Sequence, residues 1–234
     1  YFNGEKAINA QDSVTTYSAI ITTSYKEVET LYDTSSPLYG YARSNNKTEQ
    51  TMKGQAGEDI RYTLNIENNS EDTMKKLVLI DRLPYVGDKY TLTDDNRNSG
   101  FSIKYKNLEN IKFYKYNSDT KQETEMLLTN GTDYKVEFSN EKQNSFNSES
   151  SDWIGGSQVA SWHEGFQDGD VNIRITFSEN LYINPNEKMV VKLIASIPGG
   201  KEIENSGEDH ISWNNFGYCY TAVKYEDNSQ VISD

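Results

Sequence analysis

The stretch "EDIRYTLNIEN", Glu58 to Asn68, decides the fold class. Ile60, Tyr62, Leu64 and Ile66 occupy alternate positions, with charged or polar residues between them. A period of two sends successive side chains to opposite faces, so the segment reads as a half-buried antiparallel strand. "VNIRITF" repeats the pattern with Val171, Ile173, Ile175 and Phe177. "KKLVLID", "IKFYKY", "TDYKVEF", "EKMVVKLIASIP" and "FGYCYTAVKY" add five more strands, separated by the turn signals "NNSEDT", "TDDNRNSG", "TNGTD", "NPNEK" and "PGGKE". No segment carries a convincing apolar stripe of helical period; Glu5 to Thr16 is the one weak candidate. The pattern predicts an all-β chain, an antiparallel β-sandwich of Ig-like or Greek-key type with a long irregular insertion.

Composition fits that reading. Hydrophobic residues make up 35% of the 234 residues, but 17 Tyr and 8 Phe supply bulky material for a core. A tyrosine- and asparagine-rich, proline-poor chain suits strands joined by polar turns. The net charge of −13 argues against nucleic acid, whose phosphates would be repelled, and against anionic membrane surfaces. Cys219 is the single cysteine, which excludes an internal disulfide and a cysteine-based zinc site. No apolar run is long enough to cross a membrane, and no signal peptide is present, so the chain reads as a piece of a longer polypeptide.

The sandwich is expected over residues 45–225, with 226–234 as linker. Residues 1–44, including "AINAQDSVTTYSAIITTSY", are either first strands or the tail of a preceding module. Residues 140–170 have no strand period and hold Trp153 and Trp162. These two tryptophans, with His163, are candidates for a carbohydrate- or host-protein-binding face, since loops carry function and aromatics stack on ligands. They can equally plug the sandwich, the reading we favour slightly. Asp94 and Asp95 in "TDDNRNSG" offer hard oxygen ligands for calcium, but without EF-hand spacing an acidic turn is the simpler account. His163 and His210 have no metal-ligand spacing, no cofactor is implied, and no nucleophile elbow or catalytic carboxylate pair stands out. The expectation is a chain that is not an enzyme.

"ISWNNFGYCYT", Ile211 to Thr221, sets adjacent asparagines at the mouth of an aromatic strand, although asparagine is depleted in strands. A bulge or turn is one explanation. A resemblance supplies another. "AGEDIRYTLNIENNSEDTMKKLVLIDRLPYVGDKY" resembles the opening of β-sandwich repeat modules from cell-surface adhesins and fimbrial proteins of Gram-positive bacteria. The motifs are the Gly57-Glu58 turn, Tyr62, Asn68, Asp81-Arg82-Leu83-Pro84 and Gly87-Asp88. "LYINPNEKMVVKLIASIP" is similar to that family's strand pair before the closing strands, and "ISWNNFGYCYT" to its closing Trp-Asn segment. The likeness spans about residues 45–225, apart from the insertion.

The resemblance implies an extracellular, cell-wall-attached stalk or adhesin module. Its partners would be neighbouring modules and a host protein or glycan, with no membrane insertion. It also implies an intramolecular isopeptide bond between an early lysine and an asparagine of the last strand. That acyl transfer needs a neutral amine, a polarised amide carbonyl and a nearby carboxylic acid, all held in a dry site. Asn214 is the first choice for the amide; Asn215 would face the other way, and Asn205 is a third option. Asp81 is the candidate acid, although an Asp before Leu-Pro can also simply shape a turn. Lys47 lies at about the family's distance before the Gly57-Glu58 turn and is the candidate amine, with Lys26 and Lys53 as alternatives because "ARSNNKTEQTMKG" is too polar for a buried strand. Such a bond would close a loop over most of the domain, worth about 4–5 kcal/mol in chain entropy, and would carry tension past the hydrogen-bonded strands.

Overall fold

The computed structural model describes residues 22–31, 45–46, 51–52, 54, 56–117, 120–200 and 211–224. Two antiparallel sheets face each other. The first has the order β1 (Thr22–Thr30), β4 (Asp59–Asn68), β10 (Lys188–Ser196), β6 (Lys104–Asn117), β7 (Gln122–Leu127). The second has the order β11 (Asn215–Lys224), β5 (Asp72–Arg82), β9 (Asn172–Phe177), β8 (Tyr134–Ser139). β2 (Asn45–Asn46) and β3 (Thr51–Met52) pair in a two-stranded sheet of their own. The all-β antiparallel sandwich expected from the alternation is the fold. Thr22–Thr30, ahead of residue 45, contributes to it directly, because β1 pairs with β4 along its whole length.

Register explains the core. Lys26, Leu64, Val191 and Ile111 lie opposite one another across β1, β4, β10 and β6. Opposed residues share a face, so this row points inward, and its last three members are fully buried. In the second sheet the row Phe216, Asp81, Ile173, Phe138 crosses β11, β5, β9 and β8 and also points inward. Both inner faces join one apolar cluster that includes Leu64, Ile66, Leu79, Ile175 and Val191. Each row therefore places one ionisable side chain, Lys26 or Asp81, among apolar neighbours.

The outer face of the second sheet is covered too. Val78 and Ile80 of β5 pack with Phe146, Trp153 and Ala160 of the insertion in a second apolar cluster. This explains why "KKLVLID" is apolar at successive positions, the mark of a strand buried on both faces. Trp153 is 2% exposed, and its indole N–H donates to the Asn147 carbonyl at 2.8 Å. The Asp152 carboxylate gathers the insertion by accepting from the Val159 amide (2.8 Å), the Trp162 indole (2.6 Å) and the Ser150 hydroxyl. Arg174 lies over the Trp162 ring, 4.5 Å from its centroid, and pairs with Glu137 at 2.7 Å. The insertion is thus a third layer laid on the sandwich.

Gly217 of β11 is where that layer comes closest. A Cβ there would sit 2.9 Å from the far ring carbon of Trp153 and 3.1 Å from a Leu92 methyl. Gly217→Ala should lower stability by about 1–3 kcal/mol through this overpacking, read as a lower urea midpoint at unchanged m. An unaltered midpoint would show that the insertion packs more loosely than described.

Candidate functional site

β1 and β11 are edge strands of opposite sheets, and the seam between them holds the charged groups. The Lys26 ammonium donates to both Asp81 carboxylate oxygens, at 2.7 and 2.8 Å. Asp81 is fully buried and Lys26 nearly so. The Lys26 nitrogen also lies 4.6 Å from the Tyr62 ring centroid and 5.9 Å from that of Phe216. Phe216, Tyr218 and Tyr220 stack along β11 at 6.2 Å spacing, and the Tyr218 hydroxyl bonds the Thr22 hydroxyl across the seam at 2.8 Å. These rings close the gap between the two edges and keep the pair dry.

Burial pushes the Lys26 amine down to about 8; the Asp81 charge opposes that shift, and Arg97 adds to it. A desolvated ammonium loses its hydration, which favours the neutral form. Burial also drives the Tyr62 hydroxyl upward, so it stays protonated.

Asn214 immediately precedes β11 and shares the inward parity of Phe216. Its two amide atoms are both buried and lack a hydrogen-bond partner of good geometry. The Tyr62 hydroxyl interacts with the amide without meeting it in such geometry. An orphaned buried polar atom costs about 1–3 kcal/mol, so this amide is expensive to keep as it stands. Asn215 points the other way, as its parity requires, and its side-chain oxygen accepts from Arg97 at 2.7 Å.

The other candidates fall as follows. Lys47, Lys53, Asn205 and His210 lie outside the described residues. Lys26, an alternative in the sequence reading, is the lysine found against Asp81. Its signal in "TSYKEVET" was the alternation that puts Lys26 on the face of Ser24 and Val28. Ser and Thr at the neighbouring inward positions hid it. Trp153 and Trp162 both pack on Phe146, with Trp153 also against Gly217 and Trp162 under Arg174; Trp153 is buried, whereas Trp162 is half-buried. Asp94 accepts from the Ser145 amide at 3.2 Å and pairs with Lys89 at 3.4 Å, while Asp95 accepts from Thr93 at 3.0 Å. Those bonds make an acidic turn, and among the described residues no group of three or more His, Cys, Asp or Glu could hold a metal ion.

Fold and seam together define an antiparallel β-sandwich module with a buried lysine–carboxylate pair beside an unpartnered amide. No protein-family model matches the chain, and no curated protein sequence matches it. Among solved structures it is similar to a family 3a carbohydrate-binding module with flanking linkers from a cellulosome scaffoldin of Clostridium thermocellum. That likeness has 11% identity and a TM-score of 0.35, covering 87% of this chain and 91% of the other. A second structure of the family 3a module from the same scaffolding protein is similar at 10% identity and a TM-score of 0.34, covering 86% of this chain and all of the other.

The depressed Lys26 amine makes a pH prediction for the unlinked protein. Its ordinary value, 10.5, applies when the chain is unfolded, and about 8 applies when it is folded. Between those values the unfolded state binds more protons, so stability rises with pH. Asn214→Ala should therefore gain unfolding free energy from pH 7.5 to 9.5, and Lys26→Met in that background should remove the gain. Stability that falls over the same window in Asn214→Ala would show that Lys26 is not buried as a charged group.

Proposed function

We propose that this chain is a self-stapling module of a bacterial cell-surface protein, in which Lys26 and Asn214 condense into an isopeptide bond with Asp81 as proton carrier. The observation that carries this reading is the buried, unpartnered amide of Asn214 in the same aromatic seam as the Lys26–Asp81 pair. Tyr62 touches both sides of it, with its ring against the Lys26 nitrogen and its hydroxyl at the Asn214 amide.

The steps balance. The Lys26 ammonium passes one proton to Asp81, leaving a neutral amine and a carboxylic acid. The acid donates a hydrogen bond to the amide oxygen of Asn214 and polarises its carbonyl. The amine attacks that carbonyl carbon, giving a tetrahedral intermediate. Asp81 then relays a proton from the former lysine nitrogen to the amide nitrogen, and the carbon–nitrogen bond of the old amide breaks. Ammonia leaves, taking up the remaining proton as ammonium. Positioning supplies most of the rate, since Lys26 and Asp81 are fixed on strands and Asn214 immediately precedes one. Once made, the bond joins the edge of one sheet to the edge of the other.

The surface-protein setting rests on the sequence resemblance to adhesin and fimbrial modules. The partners that follow are neighbouring modules of the same protein and a host protein or glycan. The packed state of Trp153 and Trp162 supports a covering role for the insertion, so a ligand face is to be sought on other loops.

Intact mass tests the proposal directly. The folded chain should weigh one ammonia less than its sequence. Lys26→Ala, Asp81→Ala and Asn214→Ala should each show the full mass of their sequence, and Lys47→Ala should keep the loss. The linked chain should melt about 10–20 °C above Asn214→Ala, from roughly 5 kcal/mol of loop-closure entropy. A folded wild-type chain at full sequence mass would sink the reading.

A further inference from the structure

Arg97 is buried at this site and has no part in the chemistry above. It sits in the turn stretch between β5 and β6, and its side chain is fully enclosed. One terminal nitrogen donates to the Arg82 carbonyl at 2.8 Å and to the Asn215 side-chain oxygen at 2.7 Å. The other donates to the Leu83 carbonyl at 3.1 Å and pairs with Asp88 at 2.7 Å. The guanidinium therefore ties the residue after Asn214 to the chain just beyond Asp81.

The residue before Asn214 is held from the same anchor. Asp88 accepts from the Ser99 hydroxyl at 2.7 Å, and that hydroxyl accepts from the Trp213 backbone amide at 3.0 Å. Asp88 also accepts from the backbone amides of Ser99 and Tyr85. Gly87, at φ +80°, makes the turn that delivers Asp88 inward, a conformation that side-chain-bearing residues rarely adopt. Trp213 and Asn215 are thus clamped on either side of Asn214, whose own amide is left without a tie.

Charge tells the same story. The buried groups facing Lys26 are Asp81 from β5, Arg97 from the turn stretch and the Tyr62 ring from β4. Those facing Arg97 are Asp88, Asp81, Tyr85 and Arg82. Counting Lys26, Arg82 and Arg97 against Asp81 and Asp88 leaves one surplus positive charge. Loss of the lysine charge on amide formation brings that set to neutrality.

We infer that Arg97 is the positioning residue of the stapling reaction: it fixes the Asn214 backbone through Asn215 and holds a permanent positive charge beside the Lys26–Asp81 pair. The inference rests on the isopeptide reading. A guanidinium suits the task because it stays charged and its planar fork serves several acceptors at once. It drives Lys26 toward the attacking neutral form and remains as the counter-charge of Asp81 after ammonium has left.

Unreacted chain, made by cell-free translation into urea, would be diluted into buffers from pH 5.5 to 9.5. Ammonia loss would be followed by intact mass. In wild type the rate should stay level up to about pH 8 and fall above it, because the reactive amine–acid pair carries the same single proton as the ion pair and loses it there. Asn215→Ala, which breaks the clamp and keeps the charge, should slow the reaction at least tenfold with the same midpoint. Arg97→Lys should behave similarly. Arg97→Gln should be slow and also shift the midpoint to higher pH. A purely structural arginine would lower yield at every pH without moving the midpoint, and that result overturns the charge role. Arg97→Lys and Asn215→Ala rates within twofold of wild type overturn the clamp, and decide the matter if Arg97→Gln does not fold. Absence of ammonia loss in wild type would instead defeat the isopeptide reading itself.

Discussion

A lysine ammonium and an aspartate carboxylate 2.7 Å apart, sealed between two sheets, set the terms for the rest of this molecule. Desolvating both ions costs several kcal/mol each, and their attraction returns that only when geometry is good and water is kept out. The pair links β1 to β5, strands at different positions in different sheets, so it constrains how the sheets stack. The stacked rings of Phe216, Tyr218 and Tyr220 belong to the same requirement, since they fill the seam through which water would otherwise reach the charges. Where a hydrophobic pair of equal volume would have served stability as well, a retained ion pair calls for another explanation, and the proposed reaction with the neighbouring amide of Asn214 supplies one.

Much of the fold was legible because period-two alternation depends only on burial of one face. Ile60 to Ile66 and Val171 to Phe177 fall inward as read. β7 went unread because every residue from Gln122 to Leu127 is exposed, leaving no apolar face to alternate. β1 was ambiguous for the related reason that its inward positions carry Thr22, Ser24 and Lys26, with Val28 the only apolar one. Asn214 and Asp81, which the structure brings to one seam, were singled out from their settings, Asn214 beside Asn215 with opposite parities and Asp81 at the end of an apolar strand. Lys26 was named only as an alternative, because distance along the chain favoured Lys47, which lies outside the described residues, while the lysine that meets Asp81 is set by sheet stacking, which no local pattern encodes. Arg97 was invisible for the same reason: in "TDDNRNSG" it looks like one polar turn residue among many.

The insertion changes what the second sheet is. A two-layer sandwich would expose Val78 and Ile80; here Phe146, Trp153 and Ala160 cover them. Asp152, with its ring of donors, lets a polar and irregular chain behave as a layer, because a single carboxylate satisfies several backbone amides that have no strand to pair with. Arg174 completes it by reaching out from β9 to the Gly156 carbonyl at 2.6 Å.

The positions of Lys26 and Asn214 in the chain have one more consequence. Nearly every described residue lies between them, the insertion included. With the proposed amide in place, the polypeptide from one to the other is a closed ring. A protease that cut an exposed loop such as 164–169 would open the ring but release no fragment, and the nicked protein would still hold its two ends together through main chain and staple.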